Sequence, residues 1–152
     1  MVQLGDAAHA FLPTSGNGAT QAIEDAVCLA ECLRLGCADG KGKAGIELAL
    51  WIHNTLRWER VGCVQLIGVV NQMEKDRGGG GKPRGFGGWL WRHDVEEYAR
   101  ENFAQVKSYA EDGKTWVNTN VPKGYVYESW TVQRWKDMME RGEQIVLDGE
   151  WD

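Results

Sequence analysis

The residues best suited to chemistry lie near the start of the chain, within residues 2–28. Gly5-Asp6 places a carboxylate directly after an apolar run, and Gly16-Asn17-Gly18 stands directly before a helical pattern. A carboxylate accepts hydrogen bonds from hydroxyl groups. A helix N-terminus flanked by glycine offers backbone N–H groups and a partial positive charge, and a bare loop lets a ligand come close. The segment therefore predicts a cofactor-binding edge for an electron-rich ligand.

The elements that must position these residues are a short strand, a loop and a helix. We predict a strand end at Val2–Leu4 and a tight loop at Pro13–Gly18. A helix is predicted over Gly18–Leu35 with Gly36 as its C-cap, because apolar residues recur there at helical spacing. Four small residues share one face of this helix and would allow close packing against a sheet or another helix: Ala19, Ala22, Ala26 and Ala30.

Three further helices and one glycine-rich segment account for most of the remaining chain. The segment Gly78–Gly88 has seven glycines in eleven residues, which predicts a loop or linker. It is not a phosphate-binding loop, because no strand leads into it and no Gly-Lys-Ser/Thr follows. The helices are predicted at Ile46–Lys75, at Val95–Ala110 behind the N-cap Asp94, and from Trp130 to Arg141. The chain thus divides into 1–76, a glycine-rich loop at 77–88 and a helical extension at 89–152.

Length and charge limit the classes of protein that the sequence can represent. A chain of 152 residues is normally a single domain. Its net charge of −5, from 17 basic and 22 acidic residues, argues against a nucleic-acid partner. No apolar stretch reaches the roughly 18 residues that a membrane span needs. The N-terminus lacks the basic region of a signal peptide, so we expect a cytoplasmic protein.

The cysteine, histidine and arginine residues give no pattern of a metal or catalytic site. Cys28, Cys32, Cys37 and Cys63 do not have zinc-site spacing, so we predict buried free thiols and no metal. None of the three histidines has a nearby serine, cysteine or carboxylate array in the sequence, so no catalytic residue is assigned. His9 is expected to be structural rather than a cofactor contact. Arg57 and Arg60 predict a solvated or ion-paired helix face rather than a phosphate site, and the eight tryptophans predict packing surfaces.

One long motif carries a family resemblance. Gly5-Asp6-Ala7-Ala8-His9, Pro13, Gly16-Asn17-Gly18 and Ala22–Ala26 together resemble the second flavin-binding motif of the class A FAD-dependent aromatic monooxygenases, the relatives of para-hydroxybenzoate hydroxylase and salicylate hydroxylase. Arg57–Val61 with Gln65 resembles the arginine-rich stretch that follows in that family. More loosely, His93-Asp94 and the C-terminal residues resemble salicylate-hydroxylase-like members. Asn17 and Thr20 stand where the family usually has glutamine and asparagine.

The resemblance implies a fold, a cofactor and a role for each site residue. The fold would be the C-terminal part of an α/β, Rossmann-like FAD-binding fold, with this chain mostly helical after a short N-terminal strand. Asp6 would bind a ribityl hydroxyl of FAD, Pro13 would lie near the isoalloxazine, and Gly16-Asn17-Gly18 would line the pyrimidine edge. In the family, NAD(P)H reduces the flavin and O2 supplies the oxygen that hydroxylates a small aromatic substrate.

The family's Gly-x-Gly-x-x-Gly unit for the FAD pyrophosphate is not found in this sequence. The chain is therefore expected to be a C-terminal fragment that by itself binds FAD weakly or not at all. A complementing N-terminal polypeptide or a homo-oligomer would then be its protein partner. The alternative from another class is a truncated, non-catalytic helical protein that acts through partner contacts and exposes an apolar face.

Overall fold

Five α-helices and two short 3-10 helices make up the regular structure of the described residues. The computed structural model describes residues 1–38, 40, 42–78, 85, 87–143 and 146–151. The 3-10 helices are Gly5–Ala7 and Pro13–Ser15, and the α-helices are α1 (Gly18–Cys37), α2 (Gly42–Asp76), α3 (Gly88–Trp91), α4 (Val95–Asp112) and α5 (Val132–Glu140). The predicted linker at 77–88 and the end of the predicted helical extension at 89–152 lie partly outside the described residues.

The mostly helical character is confirmed, but the predicted N-terminal strand is wrong. Leu4 has an extended backbone with φ −133° and ψ 158°, yet Val2–Leu4 pairs with no strand among the described residues. The one isolated β-bridge among the described residues joins Lys123 to Glu150. A strand is defined by hydrogen bonds to a neighbour, and an extended backbone alone does not provide them.

The long helix α2 is shared by two hydrophobic clusters. Its 35 residues extend about 52 Å. The first half packs against α1 and α4, in a cluster of buried residues that comprises Cys28, Cys32, Ala49, Ile52, Leu56, Ala99 and Val106. The second half packs against α5 through Leu66, Val70 and Met139, with Trp130 and Trp135 at its margin. None of the described helices is both long and apolar enough to cross a membrane.

Helix α1 is oriented with its charged face inward and its small apolar face outward. Gln21, Glu24 and Asp25 are buried against α2. The opposite face is exposed, and it includes Ala19, Ile23, Ala26 and Ala30. Ile23 has 66% of its surface exposed, which is unusual for a large aliphatic side chain. Of the face that was expected to pack closely, Ala22 is covered by Gly5, whereas Ala19, Ala26 and Ala30 are exposed.

The C-terminal end of α1 and the start of α2 approach each other closely at Gly36. Gly36 lies inside α1 and is not the C-cap that the sequence predicts, because α1 continues to Cys37. A Cβ on Gly36 would lie 2.6 Å from the Gly45 carbonyl oxygen and 2.9 Å from the Ala49 Cβ. Backbone atoms on both helices set this distance, so the contact requires a residue without a side chain.

Replacing Gly36 by alanine should therefore destabilise the chain. We expect a loss of about 1–3 kcal/mol in the free energy of unfolding, because the added methyl group forces α1 and α2 apart. The matched control is Gly88→Ala, where the added Cβ has only ordinary contacts at 3.8 Å with Arg92. Urea denaturation followed by circular dichroism measures both variants. Equal stability of the two variants would contradict the close approach.

Candidate functional site

The candidate site is built from the two 3-10 helices and the N-terminus of α1. Gly5 has a left-handed backbone with φ +55°, and a Cβ there would lie 3.0 Å from the Cβ of Ala22. This contact holds the first 3-10 helix on α1. The next residue, Asp6, is exposed, and its Oδ1 lies 3.6 Å from the position that a Cβ on Gly18 would take. The structure thus brings the Asp6 carboxylate to the first residue of α1.

The remaining predicted residues form the loop that leads into α1. Pro13 is the first residue of the second 3-10 helix and is exposed. Gly16 ends that helix with a left-handed φ of +67°, and no atom lies within 4 Å of a Cβ built on it. A ligand can therefore approach the backbone at Gly16 without meeting a side chain. All five predicted site residues thus belong to one segment of the chain, which runs from Asp6 to Gly18, the first residue of α1.

The start of α1 has no side-chain cap. Asn17 is at the N-cap position, but its side chain makes no hydrogen bond to the helix N–H groups. By contrast, Asp94 caps α4 and Thr131 caps α5. Asn17 is only 1% exposed, and its Nδ2 donates to the Ser15 carbonyl oxygen at 2.8 Å. Its Oδ1 is buried and has no hydrogen-bond partner among the described residues. An unpaired buried acceptor beside an uncapped helix end is typical of a ligand site.

A buried ionic network beneath the first 3-10 helix fixes its position. Asp25 of α1 accepts hydrogen bonds from the Gly5 backbone N–H at 2.9 Å and from Arg57 Nε at 2.8 Å. His9 Nε2 lies 2.5 Å from the same carboxylate. His9 therefore has a structural contact, as the sequence predicts. Because Gly5 directly precedes Asp6, the hydrogen bond to Asp25 determines where the Asp6 carboxylate lies.

The second half of the network joins α1 to α2 and to the C-terminal segments. Glu24 accepts from Arg57 Nη1 at 2.5 Å and from Arg60 Nε and Nη2 at 2.8 and 2.9 Å. Arg60 is fully buried and also donates to the backbone oxygens of Leu90 and Asn120, at 3.1 and 2.8 Å. Of the two predicted alternatives for Arg57 and Arg60, the structure shows ion pairing and excludes solvation.

The environment keeps both network carboxylates ionised. Burial opposes ionisation of Asp25, but hydrogen bonds from His9, the Gly5 N–H and Arg57 hold its pKa well below the usual range. Burial also opposes ionisation of Glu24, and the hydrogen bonds and charges of Arg60 and Arg57 outweigh it, so the pKa of Glu24 is lowered. Two arginines and two carboxylates therefore form an internally neutral cluster.

Three of the four cysteines are buried, and His93 is neutral near pH 7. Cys28, Cys32 and Cys63 are buried and free, whereas Cys37 is exposed, which differs from the prediction. Burial, together with the positive charge of Arg60, lowers the pKa of His93 to about 4, so this histidine is neutral near pH 7. Within the described ranges, no group of three histidine, cysteine, aspartate or glutamate residues could hold a metal ion.

Proteins similar to nearly the whole chain are FAD-dependent monooxygenases. The FAD-dependent monooxygenase fsr3 of Gibberella fujikuroi is 44% identical over 99% of this chain and 30% of that protein. The FAD-dependent monooxygenase mdpD of Emericella nidulans is 38% identical over the same shares. The chain thus spans about 30% of the length of the curated relatives that it matches. No family model matches it. In sequence, the chain resembles enzymes of this class.

Solved structures share the helical arrangement. The crystal structure of FqzB superposes with a TM-score of 0.66 at 30% identity, over 78% of this chain and 29% of that chain. The crystal structure of CtdE in complex with FAD and substrate 4 superposes with a TM-score of 0.63 at 33% identity, over 72% of this chain and 27% of that chain. The chain therefore has the same local fold as a segment of each of these longer proteins.

Removing Arg60 should cost far more stability than removing a surface cation. Arg60→Met leaves the buried Glu24 with Arg57 as its one cationic partner and removes the hydrogen bonds to three backbone oxygens, those of Trp89, Leu90 and Asn120, so we expect a loss of about 3–5 kcal/mol. Lys43→Met is the control, because Lys43 pairs with Glu47 at 3.6 Å on the surface with 89% of its side chain exposed. That change should cost less than about 1 kcal/mol. Comparable losses in urea denaturation would contradict a dominant role for the network.

The network also predicts a loss of stability in acid. The folded-state pKa values of Glu24 and Asp25 lie below their ordinary values of 4.5 and 3.8. The unfolded chain therefore binds protons first, and stability present above about pH 4.5 falls as the pH falls below it. Asp25→Asn should flatten this dependence in urea denaturation between about pH 6 and pH 3. A variant with the same slope as the wild type would show that Asp25 is not the linked group.

Proposed function

We propose that this chain provides one side of the flavin site of an FAD-dependent monooxygenase. In the proposed site, Asp6 accepts a hydrogen bond from a ribityl hydroxyl of FAD, and Pro13 lies beside the isoalloxazine. Gly16, Asn17 and Gly18 line the pyrimidine edge. The observation that carries the proposal is the Asp6 carboxylate beside the uncapped N-terminus of α1, in a chain that resembles FAD-dependent monooxygenases over 99% of its length.

The residues present fit this cofactor. A ribityl chain offers hydroxyl donors, and the exposed Asp6 carboxylate has free acceptor positions for them. The pyrimidine edge of a flavin has both an N–H donor and carbonyl acceptors. The unpaired Oδ1 of Asn17 can accept from the donor, and the N–H groups of the first turn of α1 can donate to the acceptors. Gly16 leaves room for a planar ring to approach the backbone.

The contribution of the chain to catalysis would be electrostatic. FAD, once reduced by NAD(P)H, supplies the electrons with which O2 hydroxylates an aromatic substrate. The N-terminus of α1 places positive potential next to the cofactor and stabilises negative charge on a reduced ring. The buried network holds Asp6 in position through Gly5, so the carboxylate needs no rearrangement before it binds.

The exposed apolar face of α1 supports a partner that completes the site. Ala19, Ile23 and Ala26 are exposed close to the loop, as are Val2 and Leu12. We propose that the polypeptide carrying the pyrophosphate-binding part of the fold covers this face. The division into 1–76 and 89–152 would then separate the flavin-contacting part from a helical extension.

A chimeric enzyme tests the proposal. Residues 1–152 replace the aligned segment of the 44% identical relative from Gibberella fujikuroi, and we expect the chimera to purify with bound flavin. Asp6→Ala in the chimera should weaken FAD binding by roughly ten- to a hundredfold, because a hydrogen bond to a charged group is lost. Flavin absorbance and fluorescence titration measure the affinity. The 152-residue chain alone should bind FAD far more weakly than the chimera.

The control for this experiment is Asp112→Ala. Asp112 ends α4 on the surface, where it pairs with Lys114 at 3.2 Å. Its removal should leave FAD affinity unchanged. A folded chimera without flavin, or an Asp6→Ala chimera that binds FAD as tightly as its parent, would contradict the proposed site. A folded chimera without flavin would support the alternative that the chain is a non-catalytic helical protein that acts through partner contacts.

A further inference from the structure

A surface groove lined by aromatic side chains lies on α2, and none of the five predicted flavin-site residues lines it. The groove has a volume of about 320 Å³ and lies between α2 and the irregular segment 113–131. Its walls include the rings of Trp58, Trp116, Tyr125 and Tyr127. No residue from 1–20 contributes to its lining, although Trp58 and Tyr127 also line a neighbouring pocket that includes Gln3, Ala8 and His9.

The aromatic walls are held by contacts on both sides. Trp58 and Tyr127 pack edge to face with ring centroids 4.6 Å apart. A Cβ on Gly62 would lie 3.1 Å from Tyr127, so the helix surface at Gly62 also supports this ring. Ring faces carry partial negative charge and attract cations. The contact between Trp58 and Tyr127 fixes these two rings at the groove, where aromatic side chains can attract a positive charge.

Glu59 adds a full negative charge to this groove. It is half-buried on α2, and within the described part of the chain no lysine, arginine or histidine nitrogen forms an ion pair with it. Burial raises the pKa of Glu59, and the nearby Asn118 side chain only partly offsets this effect. A half-buried carboxylate without a cation is costly, and a bound cation would compensate it.

The Asn118 side chain is fixed next to Glu59 by its own hydrogen bonds. Its Oδ1 accepts from the Tyr98 hydroxyl at 2.7 Å and from the Asn120 N–H at 3.1 Å. Its buried Nδ2 makes no other hydrogen bond among the described residues than its interaction with the Glu59 carboxylate. The Trp116 Nε1 and the Tyr125 hydroxyl are buried and unpaired in the same part of the chain. The groove thus combines a half-buried carboxylate with aromatic side chains.

We propose that this groove binds an organic ammonium ion, with the charged nitrogen near Glu59 and its carbon substituents against the four aromatic rings. A carboxylate attracts the charge, and ring faces accommodate the alkyl groups on the nitrogen while stabilising their positive charge. An anion or a neutral aromatic compound would leave the Glu59 carboxylate uncompensated. Charge complementarity therefore selects the ligand class.

The test compares two molecules of the same shape on the 152-residue chain. Choline is the cation, and 3,3-dimethylbutan-1-ol is its neutral counterpart with carbon in place of nitrogen. We expect choline to bind roughly tenfold more tightly, because only the cation interacts with the ring faces and Glu59. Chemical shifts of the tryptophan indole N–H groups measure binding, and Trp58→Phe and Trp116→Phe identify the two signals that should move.

The second part of the choline-binding test uses the Glu59→Gln variant. The substitution keeps the size of the side chain and removes the charge, so choline should bind at least about fivefold more weakly. The matched control is Glu47→Gln on the same helix, about 18 Å from Glu59. This control should bind choline as the wild type does. The spectra themselves report whether each variant is folded.

Three outcomes would overturn the proposal. They are equal binding of choline and the neutral alcohol, no saturable choline shift at the Trp58 and Trp116 signals, and unchanged choline affinity in a folded Glu59→Gln variant. If Glu59→Gln does not fold, the comparison of choline with the neutral alcohol on the wild-type chain still decides. None of these measurements involves flavin, so their failure leaves the proposed flavin site unaffected.

Discussion

The pairing of Arg57 and Arg60 with Glu24 and Asp25 is the interaction on which the rest of the structure depends. It joins α1 to α2 beside the apolar cluster of Cys28, Cys32 and Ile52, and it extends to α3 and the 113–131 segment through backbone oxygens. Four charges removed from water are costly unless each has a partner. Asp25 in turn binds the Gly5 N–H, so the same cluster that joins the helices also positions the candidate cofactor loop.

Much of the helical architecture follows from the sequence, but the orientation of α1 does not. Apolar spacing predicts α1, α2, α4 and α5, and the predicted Asp94 cap of α4 is present. The apolar face of α1 nevertheless points outward, because the deciding contacts join residues 32 to 36 positions apart. Spacing within one helix shows which residues share a face. It does not show that arginines from another helix will bury the charged face.

The residues of the candidate flavin site are named from the sequence and stay a prediction, whereas the contacts that support them could not be predicted. The glycines and Asp6 stand at recognisable positions, and Gly18 does lie beside Asp6. The role of Glu24 and Asp25 within the same motif was missed, although Arg57 and Arg60 at helical spacing were a usable signal. The groove at Glu59 depends on segment 113–131, which has no periodicity and is placed by contacts between distant residues, such as Tyr98 to Asn118 and Lys123 to Glu150.

The absence of a side-chain cap on α1 has a thermodynamic consequence. A group that accepts hydrogen bonds from the first turn would take the place that Asp94 takes in α4. Ligand occupancy and helix initiation would then be coupled equilibria, each favouring the other by the same free energy. Fraying of the first turn would weaken the ligand complex, and loss of the ligand would lower protection of those amides from exchange with solvent.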